Sequence, residues 1–293
     1  MTLSHTRAVA GMLLVTLMWS SAGLVTRQLE SAASFEVTFW RSSFTLIALT
    51  AFFAATQGRS AFSFLRTGGK TLWMSGLMWA VMFTCFMLAI TMTTVANVLI
   101  TMSISPLMTA VLARFMLGHA VNPRTWLAIV LAGAGIAWMY GHSLSADPKY
   151  LVGTLVALAV PIAAAINWNL LQRSGKSVDL VPALFIGALI SSVVALPFAM
   201  PFRASAQDLC WLAFLGIFQL AIPCALAVRL ARTLPAPEIS LLALLETVFG
   251  IAWVWWFSHE RPSQHVLFGG SVVLITLAVN EIIVIQASQK GRK

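Results

Sequence analysis

The chain has 293 residues, of which 59% are hydrophobic and only 9% are charged, and its mean hydropathy is +0.89. A soluble domain carries about 25% charged residues, so this composition excludes a soluble protein. One membrane-spanning helix with its connection needs roughly 30 residues, so the chain accommodates about ten spans and no separate globular domain. Receptors with large ectodomains, channels with ligand-gating modules and energy-coupling ATPases are therefore excluded, and no G-x-x-x-x-G-K-[ST] phosphate loop occurs.

Apolar runs of spanning length occur ten times, separated by charged residues or by clusters of Gly, Pro and Asn. Because a segment in lipid must satisfy its own backbone hydrogen bonds, each run is predicted to be an α-helix. The predicted spans are residues 8–28, 36–57, 71–92, 95–117, 125–141, 151–172, 180–200, 209–231, 238–258 and 265–286. The predicted fold class is an all-α polytopic membrane protein. Gly133, Ala137, Gly269 and Gly270 are interpreted as helix-packing surfaces in spans five and ten.

Basic residues are distributed unevenly between the two sets of connections. If the N-terminus is cytoplasmic, 13 of the 18 Lys and Arg residues fall on the inner side, four fall on the outer side, and Arg41 lies inside a span. Lys and Arg concentrate on the cytoplasmic side of membrane proteins, so both termini are predicted to be cytoplasmic, in a bacterial-type inner (plasma) membrane. The net charge of +9 therefore belongs to membrane topology, and no nucleic-acid partner is expected.

The two halves of the chain share a weak repeat at an offset of 141 residues. In this register Gly118-His119 aligns with His259-Glu260, each pair at the end of one span and just before the next. An odd number of spans in each half makes the halves enter the membrane in opposite senses, which predicts an inverted repeat. The expected repeats are residues 1–145, with spans one to five, and residues 146–293, with spans six to ten.

Arg41 and Glu246 are the two ionisable residues furthest inside apolar runs. A charge near the bilayer centre costs about 2.5–3.5 kcal/mol on insertion scales, so both are candidates for a functional site. Arg41 either lines the outer mouth of a transport pathway or anchors its helix by extending its long side chain to the interface. Glu246 either lines the pathway or is a buried, protonated structural acid.

The other candidates are tryptophan, amide and methionine side chains well inside spans, together with one in-span proline. A buried indole suits an apolar or aromatic substrate, and a proline frees helical carbonyls that can bind polar groups. These candidates are Trp19, Trp79, Asn97, Met102, Pro106 and Trp168. Helix packing and interhelical hydrogen bonding are the alternative for each. With Arg41 and Glu246, they are predicted to wall a substrate cavity near the midplane between the two halves.

The sequence offers little support for catalysis or for a cofactor. Cys85, Cys210 and Cys224 lack metal-ligand spacing, and their odd number argues against a disulfide framework. His142 and Asp147 have the spacing of a glycerolipid acyltransferase motif, but no accompanying motif occurs. No enzyme activity, catalytic residue, cofactor or metal is expected. A membrane-embedded enzyme acting on lipid is the alternative class.

Several motifs resemble those of the EamA-type families of the drug/metabolite transporter superfamily. They are Trp19-Ser20-Ser21 with Arg27, Phe39-Trp40-Arg41, Ser105-Pro106-Leu107 and Leu117-Gly118-His119 in the first half, and Leu244-Leu245-Glu246, Glu260 and Gly269-Gly270 in the second. Within the superfamily the chain is most similar to the YddG-type amino-acid exporters. The resemblance implies ten helices in two inverted five-helix repeats and the export of small metabolites.

The expected function is export of small amphipathic metabolites by alternating access, most of all amino acids with apolar or aromatic side chains. A nucleotide sugar needs several fixed counter-charges at depth, whereas a zwitterion needs only weak, paired compensation. The small-molecule substrate and the lipid bilayer are the expected partners, with protons as a candidate coupling ion. A transporter of another substrate class, such as drugs or nucleotide sugars, is the alternative, and the sequence indicates no oligomeric state.

Overall fold

The computed structural model describes residues 5–60, 62–117, 123–141, 148–174, 180–230, 233–234, 236–258 and 261–290. These residues are almost entirely helical and include no β-strand. In chain order the helices are α1 (His5–Thr26), α2 (Ser34–Gln57), α3 (Phe64–Thr67), α4 (Lys70–Met92), α5 (Val95–Met102), α6 (Ser105–Leu117), α7 (Pro123–Gly141), α8 (Pro148–Ser174), α9 (Val181–Ala199), α10 (Ala206–Phe214), α11 (Ile222–Leu230), α12 (Ala236–Phe257) and α13 (Gln264–Lys290). A short 3-10 helix covers Gly58–Ser60, and a π-helical segment, Leu215–Ala221, joins α10 to α11.

Every predicted span coincides with one of these helices or with consecutive helices. Seven stretches of described residues are long and apolar enough to cross a membrane: His5–Thr26, Ser34–Gln57, Lys70–Met92, Val95–Met116, Val152–Leu170, Val181–Ala199 and Ala206–Leu230. The other three predicted spans are α7, α12 and α13, and the last two contain the shorter apolar stretches Leu242–Phe257 and Gln264–Asn280. The predicted all-α polytopic fold is confirmed. The aligned pairs Gly118-His119 and His259-Glu260, and the motif residues His142 and Asp147, lie outside the described residues.

The fourth predicted span is divided into α5 and α6. The chain turns at Ser103 and Ile104, where the Ser103 hydroxyl donates to the carbonyl of Ile100 at 2.6 Å. Pro106 then lies in the first turn of α6, where its missing N–H removes no helical hydrogen bond. The sequence predicted one continuous helix here, and the proline instead begins a new one.

The eighth predicted span is wider than an α-helix in its middle. The Ile222 N–H donates to the carbonyl of Ile217, five residues back, at the end of the π-helical segment. Pro223 follows directly, and a proline ring clashes with the carbonyl four residues earlier, which here belongs to Gln219. The extra width of a π-helical turn relieves that clash, so Pro223 gives a physical reason for this unpredicted segment.

Helices α7 and α13 pack through small residues, but not through all of those predicted. A Cβ placed on Gly135 of α7 would lie 2.9 Å from the Gly269 carbonyl oxygen of α13, whereas Gly270 faces α5, where a Cβ on it would meet the Ile100 side chain. Gly133 and Ala137 are exposed, and nothing lies within 4 Å of a Cβ on Gly133. The prediction for these two residues was wrong, because the contact face carries Gly135, which is two positions and about 200° around the helix from each of them.

Two buried carboxylates hold together the α1–α2 connection and the α9–α10 connection. Both connections lie at the end of the bundle that is predicted to be the outer side. Glu36, in the first turn of α2, is 0% exposed and accepts the backbone N–H groups of Arg203 and Ala204 at 2.8–3.0 Å. Asp208, in the first turn of α10, is 1% exposed and accepts those of Glu30 and Ser31 at 3.0 Å. Each acid thus binds the backbone of the connection that precedes the other helix.

Neutralising either acid should weaken this end of the bundle. Glu36→Gln places amide hydrogens against backbone N–H groups and removes charge-assisted hydrogen bonds, so we expect a loss of about 2 kcal/mol in unfolding free energy. Thermal unfolding of the purified protein in detergent measures it. Glu30→Gln is the matched control, because the Glu30 side chain is exposed on the same connection. Equal melting temperatures for the two variants would contradict the structural role of Glu36.

Candidate functional site

A buried arginine lies at the junction of α1, α2 and the π-helical segment. The Arg41 side chain is 2% exposed, and its Nη2 donates to Oε1 of Gln219 at 2.8 Å. Gln219, 3% exposed, donates from Nε2 to the backbone carbonyl of Trp19 at 3.2 Å. Arg41 lies roughly 10 Å along α2 from its first residue, so the guanidinium is well inside the span.

The guanidinium of Arg41 is only partly satisfied. Its Nε and Nη1 are buried and have no hydrogen-bond partner among the described residues. The Phe86 ring lies beneath it, with Cζ 5.6 Å from the ring centroid, which is a cation–π contact. Because a guanidinium has five N–H donors and no acceptor, the site offers a positive charge with unused donors.

Glu246, on α12, is the acidic residue of this site. Its side chain is half-buried and lies within electrostatic range of Arg41, yet these two described residues form no direct ion pair. The Cys224 thiol is also within range of Arg41, and the indole of Trp19 lies against this thiol. The structure thus brings together Trp19, Arg41 and Glu246 of the predicted site residues.

The π-helical segment fixes how Gln219 meets Arg41. Gly216 lies so close to α2 that a Cβ on it would be 2.6 Å from the Arg41 carbonyl oxygen and 2.6 Å from Cβ of Phe44. The Thr45 hydroxyl lies 2.9 Å from both the Arg41 and the Gly216 carbonyl oxygens. The two backbones are therefore in register, and the Gln219 amide follows one turn after Gly216.

A line of hydroxyl groups continues from the arginine toward α9. The hydroxyls of Ser42 and Ser191 are 2.9 Å apart, and those of Thr84 and Ser191 are also 2.9 Å apart. These contacts join α2, α4 and α9 by polar atoms in a region that is otherwise apolar. Interhelical hydroxyl bonds of this kind orient helices in a membrane.

The other predicted residues lie away from Arg41 or in packing positions. Trp79 is 8% exposed and packs on Phe83, with ring centroids 5.4 Å apart. It also packs against Gly187, where an added Cβ would lie 2.5 Å from Cβ of Trp79. Asn97 donates from Nδ2 to the Thr93 hydroxyl at 3.1 Å, close to the start of α5. These contacts favour the packing alternative for Trp79 and Asn97.

Met102, Pro106 and Trp168 are each half-buried. Met102 packs against the apolar cluster that contains Phe86, which lies under Arg41, so it is the one of the three that the structure connects to the site. Next to Trp168 on α8, the Asn167 side chain accepts a hydrogen bond from the Ser75 hydroxyl at 2.6 Å. The contacts of Pro106 and Trp168 described here do not include Arg41.

Gln219 and Phe86 contact Arg41 in the candidate site and were missed by sequence reasoning. A glutamine within an apolar run carries no charge, so it is easily passed over beside arginine and glutamate. Its position four residues before Pro223 was the available signal, because a proline disturbs the helix at that carbonyl. Phe86 is one of 18 phenylalanines, and nothing in the sequence distinguishes it.

Substituting Gly216 tests the close contact that positions Gln219. Gly216→Ala places a methyl group against backbone atoms of α2 that cannot move aside, so we expect a loss of about 1–3 kcal/mol in unfolding free energy. Gly133→Ala is the matched control, because a methyl group there meets nothing and a helical Gly-to-Ala change is favourable by up to about 1 kcal/mol. Thermal unfolding measures both variants, and a Gly216→Ala protein as stable as Gly133→Ala would contradict the packing.

Known proteins share this sequence pattern and fold. The model of the EamA-like transporter family matches the chain twice, over residues 6–141 and 151–281. An S-adenosylmethionine uptake transporter of Rickettsia prowazekii (strain Madrid E) is 24% identical over 244 residues, which cover 82% of this chain and 80% of the relative. A protein of known crystal structure superposes on 97% of this chain and 99% of its own, with a TM-score of 0.62 and 15% identity.

The two family matches leave out only the ends of the chain and a short central segment. The resemblance to the EamA-type families, inferred from the tryptophan, arginine and proline motifs, is thereby confirmed. The superposition shows that the fold is shared at low identity. Together with the apolar helices, the matches identify a multi-pass membrane transporter: this chain belongs to the EamA-like transporter family.

Proposed function

We propose that this transporter exports small zwitterionic metabolites, foremost amino acids with apolar or aromatic side chains, by alternating access. The observation that carries the proposal is the buried Arg41 guanidinium, which has two nitrogens without a partner in the described structure. In a medium of low dielectric constant an unpaired charged donor of this kind favours an anion. A carboxylate fits best, because its two oxygens match the planar fork of a guanidinium.

The surroundings of Arg41 suit the other parts of an amino acid. Glu246 is within electrostatic range and supplies a negative charge for the ammonium group. The indole of Trp19 and the ring of Phe86 supply apolar surfaces beside the guanidinium. A solute with one charge of each sign next to an apolar group therefore meets a complementary group on every side.

S-adenosylmethionine is a second candidate substrate. The uptake transporter named for it is 24% identical to this chain over 244 residues. This compound ends in the same α-amino-acid group, so the contacts to Arg41 and Glu246 apply to it as well. Its adenosine and sulfonium groups need more space, and uptake reverses the direction that we propose. Transport measured in both directions separates the two candidates.

We also propose that the two halves, residues 1–145 and 146–293, are inverted repeats with both termini in the cytoplasm of a bacterial cell. The two family matches support this division. The packing supports a two-fold relation between the halves, because α1 packs on α12 as its counterpart α8 packs on α6, while α2 packs on α9 and α7 on α13. The odd number of spans in each half makes that relation an inversion. A catalytic role is no part of the proposal, because binding and release of a solute need no covalent bond to form or break.

Transport into and out of proteoliposomes tests the proposed substrate. Native protein should carry radiolabelled phenylalanine, and Arg41→Met should raise KM roughly 10- to 100-fold, the equivalent of one hydrogen bond to a charged group. Arg229→Met is the matched control, because Arg229 is exposed and contacts only the Phe52 ring among the interactions described, at 5.2 Å. Transport of nucleotide sugars but no amino acid, or equal effects of the two substitutions, would contradict the proposal.

Glu246→Gln tests proton coupling. If Glu246 carries a proton with the solute, the variant should lose the acceleration that a pH gradient gives to net efflux. Exchange of labelled for unlabelled solute at equal pH should persist, because exchange needs no net proton movement. An unchanged pH dependence would reduce Glu246 to a structural or ammonium-binding acid and would favour passive facilitation.

A further inference from the structure

The partner that holds the Arg41 guanidinium is an uncharged amide. Gln219 accepts from Nη2 at 2.8 Å and is itself 3% exposed, so the contact is sealed from water. Buried arginines are usually matched by a carboxylate, which cancels the charge. An amide oxygen orients the guanidinium equally well but leaves a full positive charge in the site.

The orientation of the Gln219 amide is determined by its two partners. Arg41 has only N–H donors, so it must face the oxygen Oε1. The Trp19 backbone carbonyl is only an acceptor, so it must face Nε2. The amide cannot flip without losing both hydrogen bonds, and the neighbouring Gly216 contact holds the π-helical segment in place. Gln219 is therefore a rigid support for Arg41.

We propose that Gln219 is a positioning residue that orients Arg41 without neutralising it, so that the site keeps a preference for solutes with a carboxylate group. It fixes one edge of the guanidinium, leaves Nε and Nη1 unpaired, and adds no charge, so the remaining charge is matched by the substrate. The proposal rests on the proposed function and extends it from the residue that binds the carboxylate to the uncharged residue that orients it and leaves its charge uncancelled. Glu246 alone does not cancel this charge, because it makes no direct ion pair with Arg41 and is half-buried.

Gln219→Glu tests the inference with almost no change in shape. The new carboxylate pairs with Arg41 and neutralises it, so the site should stop preferring carboxylate solutes. Competition against phenylalanine transport uses two matched compounds, 3-phenylpropionate, which lacks the amine, and phenethylamine, which lacks the carboxylate. With native protein, 3-phenylpropionate should compete roughly tenfold or more better than phenethylamine. With Gln219→Glu this order should reverse, a change of roughly 10- to 100-fold in the ratio.

Gln219→Met keeps the length of the side chain but removes the acceptor without adding charge. We expect weaker transport with the carboxylate preference retained, because Arg41 stays positive but is less well oriented. Only purified variants with native helix content, measured by circular dichroism, enter the comparison. If Gln219→Glu does not meet this criterion, the binding of 3-phenylpropionate and of phenethylamine to Gln219→Met is compared instead. Loss of the preference for 3-phenylpropionate in Gln219→Met overturns the inference.

The outcomes separate the inference from the function on which it rests. Transport of phenylalanine with an unchanged carboxylate preference in Gln219→Glu overturns the role of Gln219 and leaves the proposed function in place. No transport of any amino acid or of S-adenosylmethionine by native protein overturns the proposed function and the inference together. A reversed preference in Gln219→Glu, with retention in Gln219→Met, supports the inference.

Discussion

The burial of one guanidinium inside a membrane bundle is the constraint on which the central part of this structure depends. A charged side chain at depth costs about 2.5–3.5 kcal/mol on insertion scales, so its surroundings must return much of that energy. For Arg41 the described contributions are one amide oxygen at 2.8 Å and the face of Phe86. These satisfy one nitrogen and one face and leave Nε and Nη1 unpaired. An incompletely satisfied buried charge is costly to keep, and a ligand that completes it is a physical reason for keeping it.

The architecture around the arginine serves to place that amide. Pro223 prevents a regular α-helix at Gln219, and the resulting π-helical segment allows Gly216 to touch the backbone of α2. The Thr45 hydroxyl spans the same contact. The candidate site thus lies beside the π-helical segment.

The spans were predictable because a bilayer requires long apolar helices, and such helices appear in the sequence as long apolar runs. Arg41 and Glu246 were predictable for the same reason, since each interrupts an apolar run. Rotation around each helix axis was not predictable: Trp79 lies well inside its span, as Trp19 does, yet it packs against Gly187 rather than the charged residues. Gln219 was missed because its importance comes from a partner 178 positions away in the chain and from a local winding that only the folded helix reveals.

The central claim is that the unpaired donors of Arg41 bind the carboxylate of the substrate. Solid-state NMR of protein labelled with ¹⁵N-arginine, reconstituted with phenylalanine that is ¹³C-labelled at the carboxyl carbon, measures that contact directly. A hydrogen-bonded carboxylate carbon lies within about 4 Å of a guanidinium nitrogen, so we predict a strong ¹³C–¹⁵N dipolar coupling. The coupling should disappear in Arg41→Lys at saturating phenylalanine. A bound substrate with no such coupling in native protein, or with the same coupling in Arg41→Lys, would contradict the account.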